Sequence, residues 1–240
     1  SKICNDIIEN IYPNYFVAKL ASKFVKVVLS GAGGDELFAG YPWRYYRNIA
    51  NNDFESYIKN YYNYWQRMLN DDEFKSVFSG VIPNEYDGSY TKNIFRGVFP
   101  KNNHKMSNPE DLINNSLYLE AKTFLHGLFV IEDKISMAHS LETRVPFMDN
   151  DLVDFAMRCP IELKLNNIKN VINIDENISG NKTSVYFQKT NDGKQILRNM
   201  MEKHIPSEIT SAPKKGFSSP DASWFKGESI EFVKKKLLNS

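Results

Sequence analysis

The stretch VVLSGAGGDELFAG, from Val27 to Gly40, decides how the rest of the chain is interpreted. A hydrophobic run leads into Ser30, three closely spaced glycines and two adjacent acids, Asp35 and Glu36. After a strand, glycines let backbone N–H groups face a phosphate, and the positive end of the next helix favours the same anion. The carboxylate of Asp35 suits Mg²⁺, which prefers oxygen ligands. The same letters also suit a plain strand-to-helix turn in which both acids complement the helix dipole, and the residues alone leave the two interpretations open.

The neighbouring segments place this stretch in an α/β layer. Residues 12–24 have apolar side chains at the spacing of an amphipathic helix, and residues 25–30 (VKVVLS) predict a short buried strand. A second helix is predicted over residues 35–46. Helix, strand, glycine turn and helix is typical of α/β proteins, which bind ligands at the carboxyl ends of their strands.

The remainder of the chain is predicted to be mostly α-helical with few strands. Residues 112–137 are expected to kink or break at Gly127, and Asn150 is expected to cap the helix that follows it. Residues 79–110 predict a long connection with short elements at most, and residues 166–193 a loop or ribbon excursion. The predicted helices cover residues 54–69, 112–137, 151–157, 196–204 and 230–238.

Composition narrows the classes of function. The 240 residues are 42% hydrophobic and carry a formal net charge of +1, so whole-chain charge predicts neither a nucleic-acid nor a membrane partner. No run of apolar residues is long enough to span a bilayer. Cys4 and Cys159 lie far apart and away from any histidine at ligand spacing, which predicts neither a disulfide framework nor a zinc site. A reducing, cytoplasmic location fits best.

Two further segments contain candidate chemistry. Residues 130–157 place several charges in an apolar pattern; because buried charges need partners, Glu142 and Arg144 are expected to pair across a turn. A bracing ion pair and a direct role in substrate binding both remain open for them. Residues 212–225 (APKKGFSSPDASWF) contain Lys214, which suits either stabilisation of an anionic intermediate or a solvated surface position.

Taken together and in this order, the three segments resemble the synthetase domain of glutamine-dependent asparagine synthetases, a family that includes β-lactam synthetases and lasso-peptide cyclases. The matching stretches are LSGAGGDELFAGY, DKISMAHSLETRVPFMDNDLVDFAM, and PKKGF followed by SPDASWF. The resemblance implies an α/β fold of the ATP-pyrophosphatase, adenine-nucleotide α-hydrolase type. It also implies adenylation of a carboxylate by Mg-ATP, release of pyrophosphate, and attack of an amine on the acyl-adenylate. In asparagine synthetases the carboxylate is the aspartate side chain and ammonia comes from an N-terminal glutaminase domain.

The resemblance also assigns roles to individual residues. Asp35 falls on a carboxylate that binds Mg²⁺ and pyrophosphate, and Lys214 falls on the lysine that stabilises charge during adenylation and amide formation. Glu36, Glu142 and Arg144, which are not carried over from the family, are expected from their charges to brace the structure or position substrate. The residues expected to bind nucleotide or pyrophosphate are Ser30, Gly31, Gly33 and Gly34.

Several departures from the family pattern qualify these expectations. The family's first pyrophosphate loop, SGGxDS, is not in this sequence, and neither Ser1 nor Cys4 matches the glutaminase nucleophile. Ala32 stands where the family often has an acid proposed to deprotonate the amine, and Ala212 where an arginine is common. We therefore expect residues 1–240 to be part of a synthetase domain, lacking its first loop and the glutaminase domain, and inactive alone.

The leading hypothesis is an ATP- and Mg²⁺-dependent ligase that forms asparagine from aspartate. Ala32 motivates an alternative in which the enzyme amidates or cyclises another carboxylate. A non-catalytic scaffold is the alternative from another class. The expected partners are small molecules, namely ATP, a carboxylic acid and ammonia, and a homodimer is left open.

Overall fold

A long helix opens the described chain and packs along a second long helix. The computed structural model describes residues 2–66, 69–83, 89–99, 106, 108–166, 168, 192–212 and 229–238. Helix α1 (Lys2–Ala21) is longer than predicted and includes Pro13. It lies along α8 (Phe124–Met137), which in turn packs on α7 (Pro109–Lys122).

The parallel sheet consists of β1 (Val27–Leu29) and β2 (Glu142–Arg144). Val27 pairs with Glu142 and Leu29 with Arg144, and the Ser30 N–H extends the ladder to the Arg144 carbonyl at 2.8 Å. The strand was predicted to be buried, and this is wrong: Leu29 is 74% exposed. Parallel sheets are normally covered on both faces, but no other strand pairs with β1 or β2 within the described residues.

The helix predicted over residues 35–46 is two short helices, α2 (Gly34–Leu37) and α3 (Pro42–Tyr46). Ala39 adopts a left-handed conformation with φ of 59° and ends the first helical stretch. Pro42 then occupies the first turn of α3, where its missing N–H costs nothing. The chain therefore turns sharply between the two helices, which brings Gly40 back against Asp35.

Two other predicted boundaries differ from the structure. The helical run over residues 112–137 breaks at Thr123, whose N–H and hydroxyl both donate to the Leu119 carbonyl, while Gly127 lies inside α8. The cap of α9 (Asn150–Arg158) is Asp149, whose carboxylate accepts from the Asp151 and Leu152 N–H groups. Asn150 itself is the first helical residue.

The remaining elements are mostly helical, as predicted. Helix α4 (Phe54–Trp65) confirms the predicted helix there, and α6 (Ser89–Gly97) lies inside the predicted connection. Most of residues 166–193 lie outside the described residues. The other elements are α5 (Asp71–Val77), 3-10 turns at Pro146–Met148 and Ile161–Leu163, α10 (Gln195–Met201), α11 (Ser207–Thr210) and α12 (Ser229–Leu238).

The described residues form three apolar clusters. The largest joins the aromatic face of α4, including Tyr57, Tyr61 and Trp65, to side chains of α7 and α8. A second packs α3 against α7, and a third packs Leu37 and Phe38 against α9. None of the described helices is both long and apolar enough to cross a membrane. The clusters hold α2, α3 and the preceding glycine turn in fixed positions.

Candidate functional site

The glycine turn begins at the carboxyl end of β1. The Ala32 N–H donates to the Ser30 hydroxyl at 3.2 Å, and the Gly34 N–H donates to the Gly31 carbonyl at 3.4 Å. The turn therefore satisfies two of its own amides. Helix α2 is only four residues long, so its dipole is a weaker attraction for anions than the sequence suggested.

The three glycines of the turn differ in what surrounds them. Gly33 has φ of 94°, and a Cβ there would lie 2.5 Å from Met148 Cε. A Cβ on Gly34 would lie 3.1 Å from the Phe147 ring. Both are needed for close packing against the 3-10 turn that follows β2. Gly31 has nothing within 4 Å of the equivalent position, so packing within the described chain does not account for it.

Asp35 lies just beyond the turn and is ion-paired. Its Oδ1 atom is 2.8 Å from Lys194 Nζ, and the two side chains are 19% and 28% exposed. A Cβ on Gly40 would lie 1.8 Å from the same oxygen, so the missing side chain of Gly40 makes room for the carboxylate. The carboxylate thus occupies a defined place between two distant parts of the sequence.

Asp35 fits Mg²⁺ in only one mode. The described residues contain no group of three or more His, Cys, Asp or Glu side chains that would hold a metal ion. Mg²⁺ bound to substrate phosphates, however, often uses only one or two carboxylates and keeps several waters. The single partly exposed carboxylate of Asp35 fits that mode. A site made of protein ligands alone does not fit the described residues.

Glu36 faces the interior, not solvent. Its side chain is 3% exposed, and burial raises its pKa to about 7, with further increases from the charges of Asp35 and Glu120. The sequence had suggested that it complements a helix dipole or positions substrate. The structure instead places it as a buried acid behind the turn.

A buried ion pair lies behind α2, and sequence reasoning missed it. Arg44 Nη1 donates to Glu120 Oε2 at 3.3 Å, and both residues are almost fully buried. Tyr45 and Tyr61 donate to the same carboxylate at 3.1 and 2.8 Å. The Arg44 guanidinium also stacks 3.9 Å from the centre of the Tyr41 ring. The only sequence signal was a single acid on the apolar face of α7.

Glu142 and Arg144 form the predicted pair, but not in the predicted way. Arg144 Nε lies 2.8 Å from Glu142 Oε1. The residues are two apart on β2, so their side chains share one face of the strand and do not meet across a turn. Both side chains are more than half exposed. Because both side chains are exposed, neither charge needs the other to offset a cost of burial.

A hydrogen-bonded turn at residues 192–194 brings Lys194 to Asp35. The Asp192 carboxylate accepts from the Asn166 and Gly193 N–H groups at 2.8 Å and from the Tyr46 hydroxyl. The Lys194 N–H donates to the Phe38 carbonyl at 2.9 Å. No sequence motif pointed to this turn, because its role depends on contacts with residues about 150 positions earlier.

Arg198, one turn further along α10, ties that helix to the next segment. Its Nε donates to the Gly193 carbonyl at 3.1 Å, and its Nη1 donates to the carbonyls of Thr210 and Ala212, the latter at 3.1 Å. Lys214 follows two residues after Ala212 but lies outside the described residues. The structure therefore ties the residue just before that segment to α10 and leaves the role of Lys214 a prediction.

Adjacent parallel strands, each leading into a turn at the same edge, define an α/β protein whose ligand site is expected at that edge. The family model described as asparagine synthase matches residues 6–240. The chain belongs to the asparagine synthase family, and the resemblance inferred from three motifs is confirmed at that level.

Named relatives agree with this assignment. The chain is 28% identical to asparagine synthetase (glutamine-hydrolyzing) 1 of Bacillus subtilis, over 95% of this chain and 36% of that protein. It is 27% identical to a putative asparagine synthetase of Mycobacterium tuberculosis, over 93% of this chain and 34% of that protein. It is also 24% identical to amidase chyE of Penicillium rubens, over 83% of this chain and 33% of that protein. The chain thus spans about a third of these relatives, and no solved structure matches it significantly.

Proposed function

We propose that the full-length protein containing this chain is an ATP-dependent ligase that converts aspartate to asparagine with ammonia from glutamine. The observation that carries the proposal is the strand, turn and carboxylate arrangement of Ser30, Gly31 and Asp35 at the edge of a parallel sheet. The sequence of this chain also matches a family whose named members include glutamine-hydrolyzing asparagine synthetases. The family's fold, the adenine-nucleotide α-hydrolase type, is part of the same proposal.

The reaction has two bond exchanges. A carboxylate oxygen of aspartate forms a bond to the α-phosphorus of ATP, and the bond to pyrophosphate breaks with its electrons. Ammonia then forms a bond to the acyl carbon, the bond to AMP breaks, and the nitrogen loses a proton to a base or water. Mg²⁺ would neutralise the charge of the departing phosphates.

Each proposed residue has a distinct task in this scheme. Ser30 and Gly31 bind the nucleotide, and Gly31 faces open space where packing requires no glycine. Asp35 provides one carboxylate for Mg²⁺ bound to phosphate. Lys214 stabilises the charge that builds up on the phosphates and acyl group. Ala32 has no side chain that can accept the proton of the amine, so that proton leaves by another group or by water.

We also propose that segments outside this chain complete the site. The sequence contains no SGGxDS loop, which in the family supplies a second grip on pyrophosphate. The exposed Leu29 on β1 and the two-stranded sheet support a further covering layer. Residues 1–240 alone are therefore expected to be inactive.

Isotope exchange between ATP and pyrophosphate tests the function. The full-length gene product should exchange pyrophosphate only with aspartate present, and should form asparagine when glutamine is added. Lys214→Met should abolish both reactions, whereas Lys203→Met, at an exposed position on the same part of the chain, should leave them intact. Absence of aspartate-dependent exchange would refute the proposal. If only a different carboxylic acid supports the exchange, the proposed adenylation would stand, but aspartate would be refuted as the substrate that is adenylated.

A further inference from the structure

Within the described residues, Lys164 is a buried lysine whose ammonium group has no carboxylate partner. The residue is 2% exposed, and its Nζ atom donates to the Ala156 carbonyl, in the last turn of α9, at 2.7 Å. Resting on the function proposed above, we propose that Lys164 is a positioning residue, whose ammonium joins α9 to the start of α10 and so holds α2 and Asp35 in place for catalysis.

Lys164 closes a ring of contacts that includes the end of α2. Ala156, whose carbonyl accepts from the ammonium, packs its side chain in one apolar cluster with Phe38. The Phe38 carbonyl accepts from the Lys194 N–H at 2.9 Å, and the next N–H, that of Gln195, donates to the Lys164 carbonyl at 3.2 Å. The ring therefore links α9, α2 and the start of α10, and α2 carries the candidate metal-binding carboxylate.

The ammonium binds a part of α9 that favours positive charge. The carbonyls in the last turn of a helix lie at the negative end of its dipole, and a charged donor makes a stronger hydrogen bond than a neutral one. A methionine of similar length would fill the same volume without the cost of burying an unpaired charge. Lys164 therefore contributes a charged link that apolar packing does not supply.

Burial also makes this link sensitive to pH. It lowers the pKa of Lys164 from 10.5 to about 8, while the charge of Cys159, at the C-cap of α9, acts in the opposite direction. The charged groups on neighbouring elements have other partners, namely Glu110, Arg158, Glu162, Asp192 and Lys194. Above about pH 8 the folded protein thus loses the charge that binds the Ala156 carbonyl.

Activity and stability should then change in opposite directions as pH rises. Loss of the charge weakens the bond to α9, so the rate of adenylation should fall above about pH 8. The folded state releases the Lys164 proton at a lower pH than the unfolded state does, so the contribution of Lys164 to the free energy of unfolding should rise between about pH 8 and 10.5. A role in stability alone predicts no fall in rate over this range.

Isotope exchange between ATP and pyrophosphate tests the proposal, measured with the full-length protein at saturating aspartate on both sides of pH 8. This exchange does not involve ammonia, so ionisation of ammonia does not affect it. The wild-type exchange rate should fall above about pH 8. Below that pH, Lys164→Met should exchange about tenfold more slowly than the wild type, with little change in KM for ATP, and its rate should show no fall at higher pH.

Two further variants complete the comparison. Lys164→Arg keeps its positive charge at all these pH values, so it should exchange at the wild-type rate below about pH 8 and hold that rate above it. Lys203→Met, a matched change at an exposed lysine, should follow the wild type at every pH. Urea-induced unfolding of each variant shows whether it is folded.

The outcomes separate this inference from the proposed function. If the wild-type exchange rate does not fall above about pH 8, the inference is refuted whether or not the variants fold. If folded Lys164→Met keeps the wild-type rate and pH profile, or Lys164→Arg loses activity with pH as the wild type does, the inference is refuted alone. If the wild type shows no exchange at any pH, both the proposed function and the inference fail.

Discussion

Replacing Gly40 by alanine should disturb Asp35 more than any other single methyl group added to this loop. The new Cβ would lie 1.8 Å from Asp35 Oδ1, 2.5 Å from Cγ and 2.7 Å from Cβ. Rotation of the Asp35 side chain moves the first two atoms but not the third, so the backbone of α2 must also shift. Ordinary contact begins at 3.4 Å, which requires the carboxylate oxygen to move by about 1.6 Å.

The cost of this change follows from two terms. Overpacking in a well-packed region typically costs about 1–3 kcal/mol. Separating Asp35 from Lys194 adds at most about 1 kcal/mol, because both side chains are partly exposed. Gly40→Ala should therefore lower the free energy of unfolding by about 1–4 kcal/mol. Urea-induced unfolding of the purified protein measures this difference.

Gly31→Ala is the matched control, since it adds the same methyl group to the same loop. Neither glycine has a positive φ, and a Cβ on Gly31 meets nothing within 4 Å. Its free energy of unfolding should change by less than about 1 kcal/mol, while its affinity for ATP should fall if the nucleotide lies there. Equal stability losses in the two variants would refute the packing argument at Gly40.

Three further predictions concern the buried charges and α10. Glu120→Ala leaves Arg44 buried without its carboxylate and should lower the free energy of unfolding, measured in urea, by about 3–5 kcal/mol. Glu55→Ala, at an exposed ion pair, should lower it by less than about 1 kcal/mol. Equal losses in the two variants would contradict the role of Glu120 as the partner of a buried charge. Burial raises the pKa of Glu36 from 4.5 to about 7. As pH rises, the Glu36 carboxyl therefore loses its proton in the unfolded state before it does so in the folded state. The free energy of unfolding should fall by about 3 kcal/mol as pH rises between these two values, and Glu36→Gln should remove this dependence on pH. Identical slopes in the wild type and in Glu36→Gln would contradict the pKa assigned to Glu36. Arg198→Met releases the backbone before Lys214 and should lower kcat for asparagine formation about tenfold with little change in KM for ATP; an unchanged kcat would argue against this positioning role.

The sequence predicted those parts of the fold whose signals are local. The aromatic spacing over residues 54–69 identified α4, because one face of a helix repeats every three to four residues. Gly127 was a misleading break signal, since the hydroxyl of Thr123 competes for a backbone carbonyl and ends α7 there. The contacts of Lys194 and Glu120 could not be predicted, because the residues that they join lie 59 to 159 positions apart.

The strand pairing explains why the glycine turn is only part of the candidate site. Because Leu29 pairs with Arg144, the turn after β1 and the 3-10 turn after β2 leave the sheet at the same edge. Phe147 and Met148 then fill the space beside Gly34 and Gly33, so those two glycines serve packing. Two amides of the turn are also used within it. We therefore expect recognition of a charged ligand to depend on side chains brought to this edge from elsewhere in the sequence; among the described residues, Lys194 is placed there, 2.8 Å from Asp35.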